Sequence, residues 1–255
     1  MTFFIEKYKG NEKTLVLEQE LILFLKENKQ EVSSNIKDCD FILSLGGDGT
    51  FIRAVNKYRK YNKAILGINC GHLGYLTELN ISNYKEKLLK LINNEYTINK
   101  RVGLTGTINN MQKDACNDIV IRNNNMNIIN FDVYVNDTFL SSFKADGIII
   151  STPIGSTGYA LSCGCSFVDP NSDNILLNLI APHTLMNRSI VLNSNVEIKI
   201  VMKEVRGETA VAVDGDILSV LKNEDIVYVK KSKNPTRIVE IEKTSFINLI
   251  SQKLS

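Results

Sequence analysis

Gly46-Gly47-Asp48-Gly49-Thr50 sets one carboxylate among three glycines, directly behind the apolar run DFILSL. Glycines let a backbone approach a ligand closely. Where such a turn opens a helix, the free N–H groups and the helix dipole favour a phosphate. A phosphate repels an aspartate, so Asp48 there needs a metal or a proton to handle. The spacing is neither GxGxxG nor GxxxxGK[ST], which sets aside the Rossmann fingerprint and the P-loop. From these residues alone, a tight turn with Asp48 capping the helix stays open.

Three further stretches carry polar groups behind apolar runs. In KADGIIISTPIGSTGYALS, Thr152, Ser156, Thr157 and Tyr159 supply uncharged donors and acceptors, which suit a nucleobase edge or ribose better than a phosphate. Lys144 and Asp146 flank its strand with opposite charges. In NCGHLGYLTE, Tyr75 either stacks on a base or packs in the core. Asn117 and Asp118 precede a strand, and the pair either forks onto ribose hydroxyls or makes a turn. The chain has two histidines, His72 and His183, and neither is paired with a nucleophile. Hydrolase signatures such as GxSxG and HExxH are absent. Cys39, Cys70, Cys116, Cys163 and Cys165 form no CxxC pair, which argues against zinc and for reduced, cytosolic thiols.

These residues need a scaffold, and the sequence shows two periods. In the first part apolar strands (TFFIEKY, DFILSL, AILGIN) alternate with helical stretches at 12–28, 50–60 and 82–92, the last opened by Ser82 as N-cap. That alternation predicts a parallel sheet with helices on both faces. From about Glu95 the period becomes two: FDVYV, VEIKIVM, DIVYVKK and RIVEIE alternate, and Asp214-Gly215 marks a type I′ hairpin. The expected organisation is an α/β domain over 1–94, an all-β sandwich over 95–241, and a C-terminal segment, 242–255, that returns to the first domain. The 255 residues carry a net charge of +2, 44% hydrophobic and 23% charged residues, ordinary for a globular chain and no argument for nucleic acid. The N-terminus lacks a signal-peptide pattern and no apolar run reaches membrane-span length, so a cytoplasmic protein is expected.

In order along the chain, GGDGT, NCGHLGYLTE, the Asn117-Asp118 pair, DGIIISTPIGSTGYALSCGC, PHTLMNRSIVL and the late DGD at Asp214 resemble the motifs of the NAD kinase family. GGDGT alone is shared with diacylglycerol and sphingosine kinases; the TPxGSTxY stretch with GGDGT upstream is specific. The matched motifs run from about residue 41 to 216. The resemblance implies an N-terminal α/β domain and a C-terminal β-sandwich. It implies transfer of a phosphoryl group to NAD from ATP, or from polyphosphate, with a divalent cation, Mg²⁺ for preference. Members are commonly homo-oligomers, here a dimer or tetramer, and no nucleic-acid or membrane partner is implied.

Carried over, Asp48 would take the proton from the adenosine ribose 2′-hydroxyl, while Gly46, Gly47, Gly49 and Thr50 admit the phosphate chain and flank the dinucleotide. Tyr75 stands where the family has a phenylalanine. Asn117 and Asp118 would hold adenosine, and Lys144 and Asp146 would lie near the nicotinamide half. Thr157, Gly158, Tyr159, Ala160, Leu161 and Ser162 would line the base and ribose pockets, with Ala181 beside them. Asp216 stands for a glutamine, Asp118 for a glutamate, Ile154 for a small hydroxyl residue and Gly158 for an alanine; Cys165-Ser166 replaces Gly-Pro. No residue is assigned as a metal ligand. Two other classes compete: a lipid or other small-molecule kinase sharing GGDGT, and a non-catalytic dinucleotide sensor. The hydroxyl-rich 152–162 stretch argues against an acyl pocket, and the intact Asp48 against a sensor.

Overall fold

The run TFFIEK is strand β1 (Thr2–Lys7), and Leu17, Leu21 and Leu25, four residues apart, form the buried stripe of helix α1 (Glu12–Glu27). The structure is a computed structural model and describes residues 1–8, 10, 12–71, 74–125, 127–184, 188–242 and 245–254. There follow β2 (Glu31–Val32), β3 (Phe41–Leu45), α2 (Asp48–Tyr58), β4 (Ala64–Asn69), β5 (Leu79–Asn80), α3 (Tyr84–Ile92) and β6 (Thr97–Arg101). Every residue of β3 and β4 is buried, as in parallel strands covered on both faces. The N-cap of α3 is Asn83, not the expected Ser82. Asn80 Oδ1 accepts from the backbone N–H of both Ser82 and Asn83, an asparagine turn that moves the helix start.

Period two then builds β7 (Leu104–Ile108), β8 (Met111–Ala115), β9 (Asp118–Asn123), β10 (Ile129–Val135), β11 (Thr138–Ala145) and β12 (Gly147–Ser151). After a 3₁₀ turn at Ile154–Thr157 come the short helix α4 (Tyr159–Ser162), β13 (Asn174–Ile180), β14 (Ile190–Asn193), β15 (Glu197–Glu204), β16 (Thr209–Val213), β17 (Asp216–Leu221) and β18 (Ile226–Lys231). Two six-stranded sheets result, ordered β11-β10-β15-β18-β7-β8 and β14-β13-β12-β9-β16-β17. Ile119, Ile121, Ile148 and Ile150 of one sheet share a core with Phe131, Val133, Ile198 and Val229 of the other, which makes the sandwich. Asp214 and Gly215 have φ of 48° and 86°, as the β16–β17 hairpin turn requires.

The last strand, β19 (Thr236–Glu240), and helix α5 (Phe246–Leu254) complete the chain. Here the structure corrects the expected boundaries. β19 runs parallel to β4, Ile238 beside Ile65, in the first sheet, whose order is β2-β1-β3-β4-β19-β6 with β5 against β4. The compact units are therefore Met1–Lys100 with Thr236–Ser255, and Arg101–Pro235, rather than divisions at 94/95 and 241/242. RIVEIE and the strand near residue 97 alternate like sandwich strands but pair elsewhere. Val239 joins the core formed by Leu21, Leu43, Leu66 and Leu88, so burial holds β19 in the first unit. Among the described residues no helix is long and apolar enough to cross a membrane. All five cysteines are free thiols.

Candidate functional site

At the carboxyl end of β3, Gly46 turns the chain with φ 152°, and a Cβ there would lie 2.4 Å from Thr50 Oγ1. Only glycine fits. Gly47 is the N-cap of α2 and offers no side-chain cap, so Asp48 is not the capping residue that the bare sequence left open. Gly46, Gly47, Gly49, Thr50, Arg53 and Asn69 line a pocket of ≈ 320 Å³. The first-turn N–H groups of α2 and the Arg53 guanidinium give this pocket donors and positive charge, which suits a phosphate chain. Arg53 stacks on Tyr8, 5.4 Å from the ring centroid.

Asp48 turns its carboxylate to a neighbouring loop. The backbone N–H of Tyr75 donates to Oδ2 (2.7 Å) and that of Leu76 to Oδ1 (3.1 Å). A Cβ on Gly74 would sit 2.1 Å from Oδ1, so this close approach needs glycine. The loop is fixed beyond that contact. Asn69 Nδ2 donates to Thr77 Oγ1 (3.0 Å), and the N–H groups of Ile241 and Glu242 donate to the Glu78 carboxylate. Burial pushes the Glu78 pKa up, against those amides and Lys87. A carboxylate has about four acceptor positions. Two are used on Asp48, and the rest can meet a hydroxyl. His72 lies outside the described residues.

In the second unit the pleat of β9 sorts side chains by face. Ile119 and Ile121 enter the sandwich core, so Asp118, Val120 and Arg122 share the opposite face. Val120 packs there with Ile149, Ala160, Tyr159 and Cys163. The Tyr159 hydroxyl meets the Cys163 thiol and Arg122, and burial raises its pKa. Asp118 is 7% exposed. Burial first, and the Asp214 carboxylate second, push its pKa to about 7. Asp214 accepts from the backbone N–H groups of Cys116 (2.6 Å), Asn117 (2.8 Å) and Asp118 (2.9 Å), which fixes the 116–118 turn. Asn117 Oδ1 is buried with no partner among the described residues, and its Nδ2 lies 3.5 Å from where a Gly158 Cβ would be. Thr157 Oγ1 donates to Ile154 O within its own turn.

Asn117, Asp118, Gly158, Tyr159 and Ala160 thus gather on one face of the second unit. Leu161 is half-buried and Ser162 exposed at the end of α4. Lys144, Asp146 and Ala181 form a separate group: Asp146 N–H donates to Ile180 O, and His183 N–H to Lys144 O, with Ala181 between them at φ 43°. Asp216 stands apart at the exposed start of β17, paired with Lys113 at 2.6 Å.

Residues 6–96 match the ATP-NAD kinase N-terminal domain, and residues 116–241 match the ATP-NAD kinase C-terminal domain. An NAD kinase of Agathobacter rectalis is 36% identical over 258 residues, 98% of this chain and 90% of the relative. One of a Thermoanaerobacter species is 36% identical over 222 residues, 85% of this chain and 78% of the relative.

The chain belongs to the NAD kinase family.

Its fold agrees. A yeast NADH kinase, solved with NADH, superposes with a TM-score of 0.89 at 22% identity, over 100% of this chain and 87% of that one. An Archaeoglobus fulgidus NAD kinase, solved with ATP, gives 0.83 at 26% identity, over 99% of this chain and 98% of that one. Three groups escaped the sequence reading of this NAD kinase family member. Arg53 lies four residues, about one helical turn, beyond Gly49, and Arg122 lies four residues beyond Asp118 on a strand, so spacing alone points to both. The Asp214 carboxylate meets backbone amides, which leave no sequence signal. Among the described residues no three His, Cys, Asp or Glu side chains are placed to share a metal ion. With both Asp48 oxygens on amides, the described residues do not form a cage for a divalent cation. Magnesium in such enzymes is commonly carried on substrate phosphates.

Proposed function

We propose that this member of the NAD kinase family phosphorylates the 2′-hydroxyl of the adenosine ribose of NAD, with ATP as donor, to give NADP and ADP. The 2′-oxygen attacks the γ-phosphorus, the bond to the ADP oxygen breaks, and the hydroxyl proton passes to Asp48. The observation that carries this reading is the Asp48 carboxylate, held by two backbone amides beside a glycine-lined helix N-terminus.

Each unit supplies part of the chemistry. In the first, Gly46, Gly47, Gly49, Thr50 and Arg53 receive phosphates, and the Tyr75 and Leu76 amides aim Asp48. Phosphoryl transfer leaves a protein mainly positioning and charge neutralisation, plus help with the nucleophile's proton. In the second, Asn117 and Asp118 take the adenosine, and Thr157 to Ser162 line the base and ribose. Lys144, Asp146 and Ala181 serve the nicotinamide half, with Asp216 at the rim. The phosphate-bound divalent cation is assigned no residue and no step. A cytoplasmic homo-oligomer, dimer or tetramer, completes the proposal.

The test incubates the purified chain with NAD⁺, ATP and Mg²⁺, reads NADP with an NADP-dependent dehydrogenase, and locates the new phosphate by ³¹P NMR. Product phosphorylated at the 2′ position supports the reading. ATP hydrolysis without NADP, or phosphorylation of diacylglycerol instead, overturns it. Binding of NAD with no turnover would make the protein a sensor.

A further inference from the structure

We propose that the first unit carries a second ligand site, for a small oxyanion with a flat apolar body, at the sheet edge opposite the glycine loop. A cavity of ≈ 390 Å³ opens there, lined by Lys63, Arg237, Asn62, Phe41, Tyr96 and Ile98. That volume suits a small molecule. Phe41 starts β3, Lys63 precedes β4 and Arg237 lies at the start of β19, so the cavity sits at the amino ends of these parallel strands. Asp48 follows the carboxyl end of β3. The length of that strand, about 15 Å at roughly 3.3 Å per residue, separates the two places.

The chemistry of the lining names the class of ligand. The Arg237 side chain makes no hydrogen bond or ion pair with any described residue, and its Nε is buried without a partner among them. Leaving a buried donor unpaired is costly, and native structures seldom do so without a reason. Lys63 Nζ gives one hydrogen bond, to Cys39 O, and keeps two donors free. A guanidinium beside an ammonium is the pairing that takes a carboxylate or phosphate, the arginine in a bidentate fork. Asp40 also lines the cavity, but its Oδ2 already accepts from the Thr2 N–H at 2.7 Å. Phe41 and Tyr96 meet edge to face, centroids 5.3 Å apart, and supply an apolar wall for the rest of the ligand. None of these residues takes part in the proposed phosphoryl transfer, so the site would act as a place for an effector.

Benzoate and phenyl phosphate, which share a ring and differ in the oxyanion, are titrated by calorimetry into the full chain. Saturating ATP is present to occupy the glycine-lined pocket. At least one probe should bind in the millimolar range or tighter, about −4 kcal/mol or better. Benzoate alone assigns a carboxylate ligand, phenyl phosphate alone a phosphate ester, and both together a site for either. Arg237→Gln and, separately, Lys63→Gln should weaken binding by about fivefold or more, while each keeps the wild-type rate of NADP formation. That rate shows that the variants fold. No heat from either probe at about 10 mM, or equal affinity for the wild type and both variants, overturns the proposal.

Discussion

Replacing Asp118 by asparagine should make stability less sensitive to pH. Asp118 is buried on the outer face of β9 close to the Asp214 carboxylate, and its pKa rises from 3.8 to about 7. The folded chain therefore holds a proton that the unfolded chain releases over this range. Stability is then lost as pH climbs from about 4 to 7, and the loss is complete above the folded value. At 1.36 kcal/mol per unit, moving from pH 5 to pH 8 would cost the wild type about 2–3 kcal/mol through this group. Asparagine has the same shape and no proton to lose. Urea unfolding of the full chain at both pH values should show Asp118→Asn gaining on the wild type by at least about 1 kcal/mol as pH rises. A ¹³C titration of the carboxyl should place its midpoint near 7. A carboxyl that titrates in the ordinary range, with equal pH dependence of wild type and variant, would show that burial does not hold the Asp118 proton. In that case water or Arg122 solvates the group better than its burial implies.

Three further substitutions probe the site. Gly74→Ala puts a Cβ 2.1 Å from Asp48 Oδ1 and should drive the carboxylate off its amides, lowering kcat at least about tenfold at saturating substrates with the fold retained by circular dichroism. Asp214→Asn leaves at least one of the Cys116, Asn117 and Asp118 amides without an acceptor and should cost about 1–3 kcal/mol in urea unfolding. Arg53→Ala removes the cation from the glycine-lined pocket and should raise KM for ATP several-fold while calorimetric NAD⁺ affinity stays unchanged.

The legible part of this protein lies where one residue type has one use. The buried runs of β3 and β4 and the glycines before α2 announce a strand, a turn and a helix. The change to period two announces the sandwich. β19 was harder: a five-residue alternating strand reads the same in either sheet, and its place was decided by Ile238 meeting Ile65, far away in the chain. Tyr75 stood out for its ring, yet its defined role in the structure is its backbone N–H on Asp48, a donor every non-proline residue owns. Asp214 read as half of a turn dipeptide, and the turn is there. Its carboxylate does a second task, holding three amides that no pattern of side chains reveals. The buried Asp118 and the exposed Asp216 look alike in sequence; only the pleat and the Lys113 ion pair separate them.

Asp48→Asn separates proton acceptance by Asp48 from simple binding of the attacking hydroxyl. Asparagine keeps the size of the side chain, but its Nδ2 would face either the Tyr75 or the Leu76 N–H, so dissociation constants must be measured beside the rate. General-base help is typically worth about 10²–10⁴ in rate. In the coupled NADP assay kcat should fall by at least about 10². Calorimetric affinities for NAD⁺ and ATP should stay within about tenfold, or 1.4 kcal/mol. Near-normal turnover by the folded variant would contradict proton acceptance, and lost NAD⁺ binding with unchanged kcat at saturation would make Asp48 a ribose anchor instead.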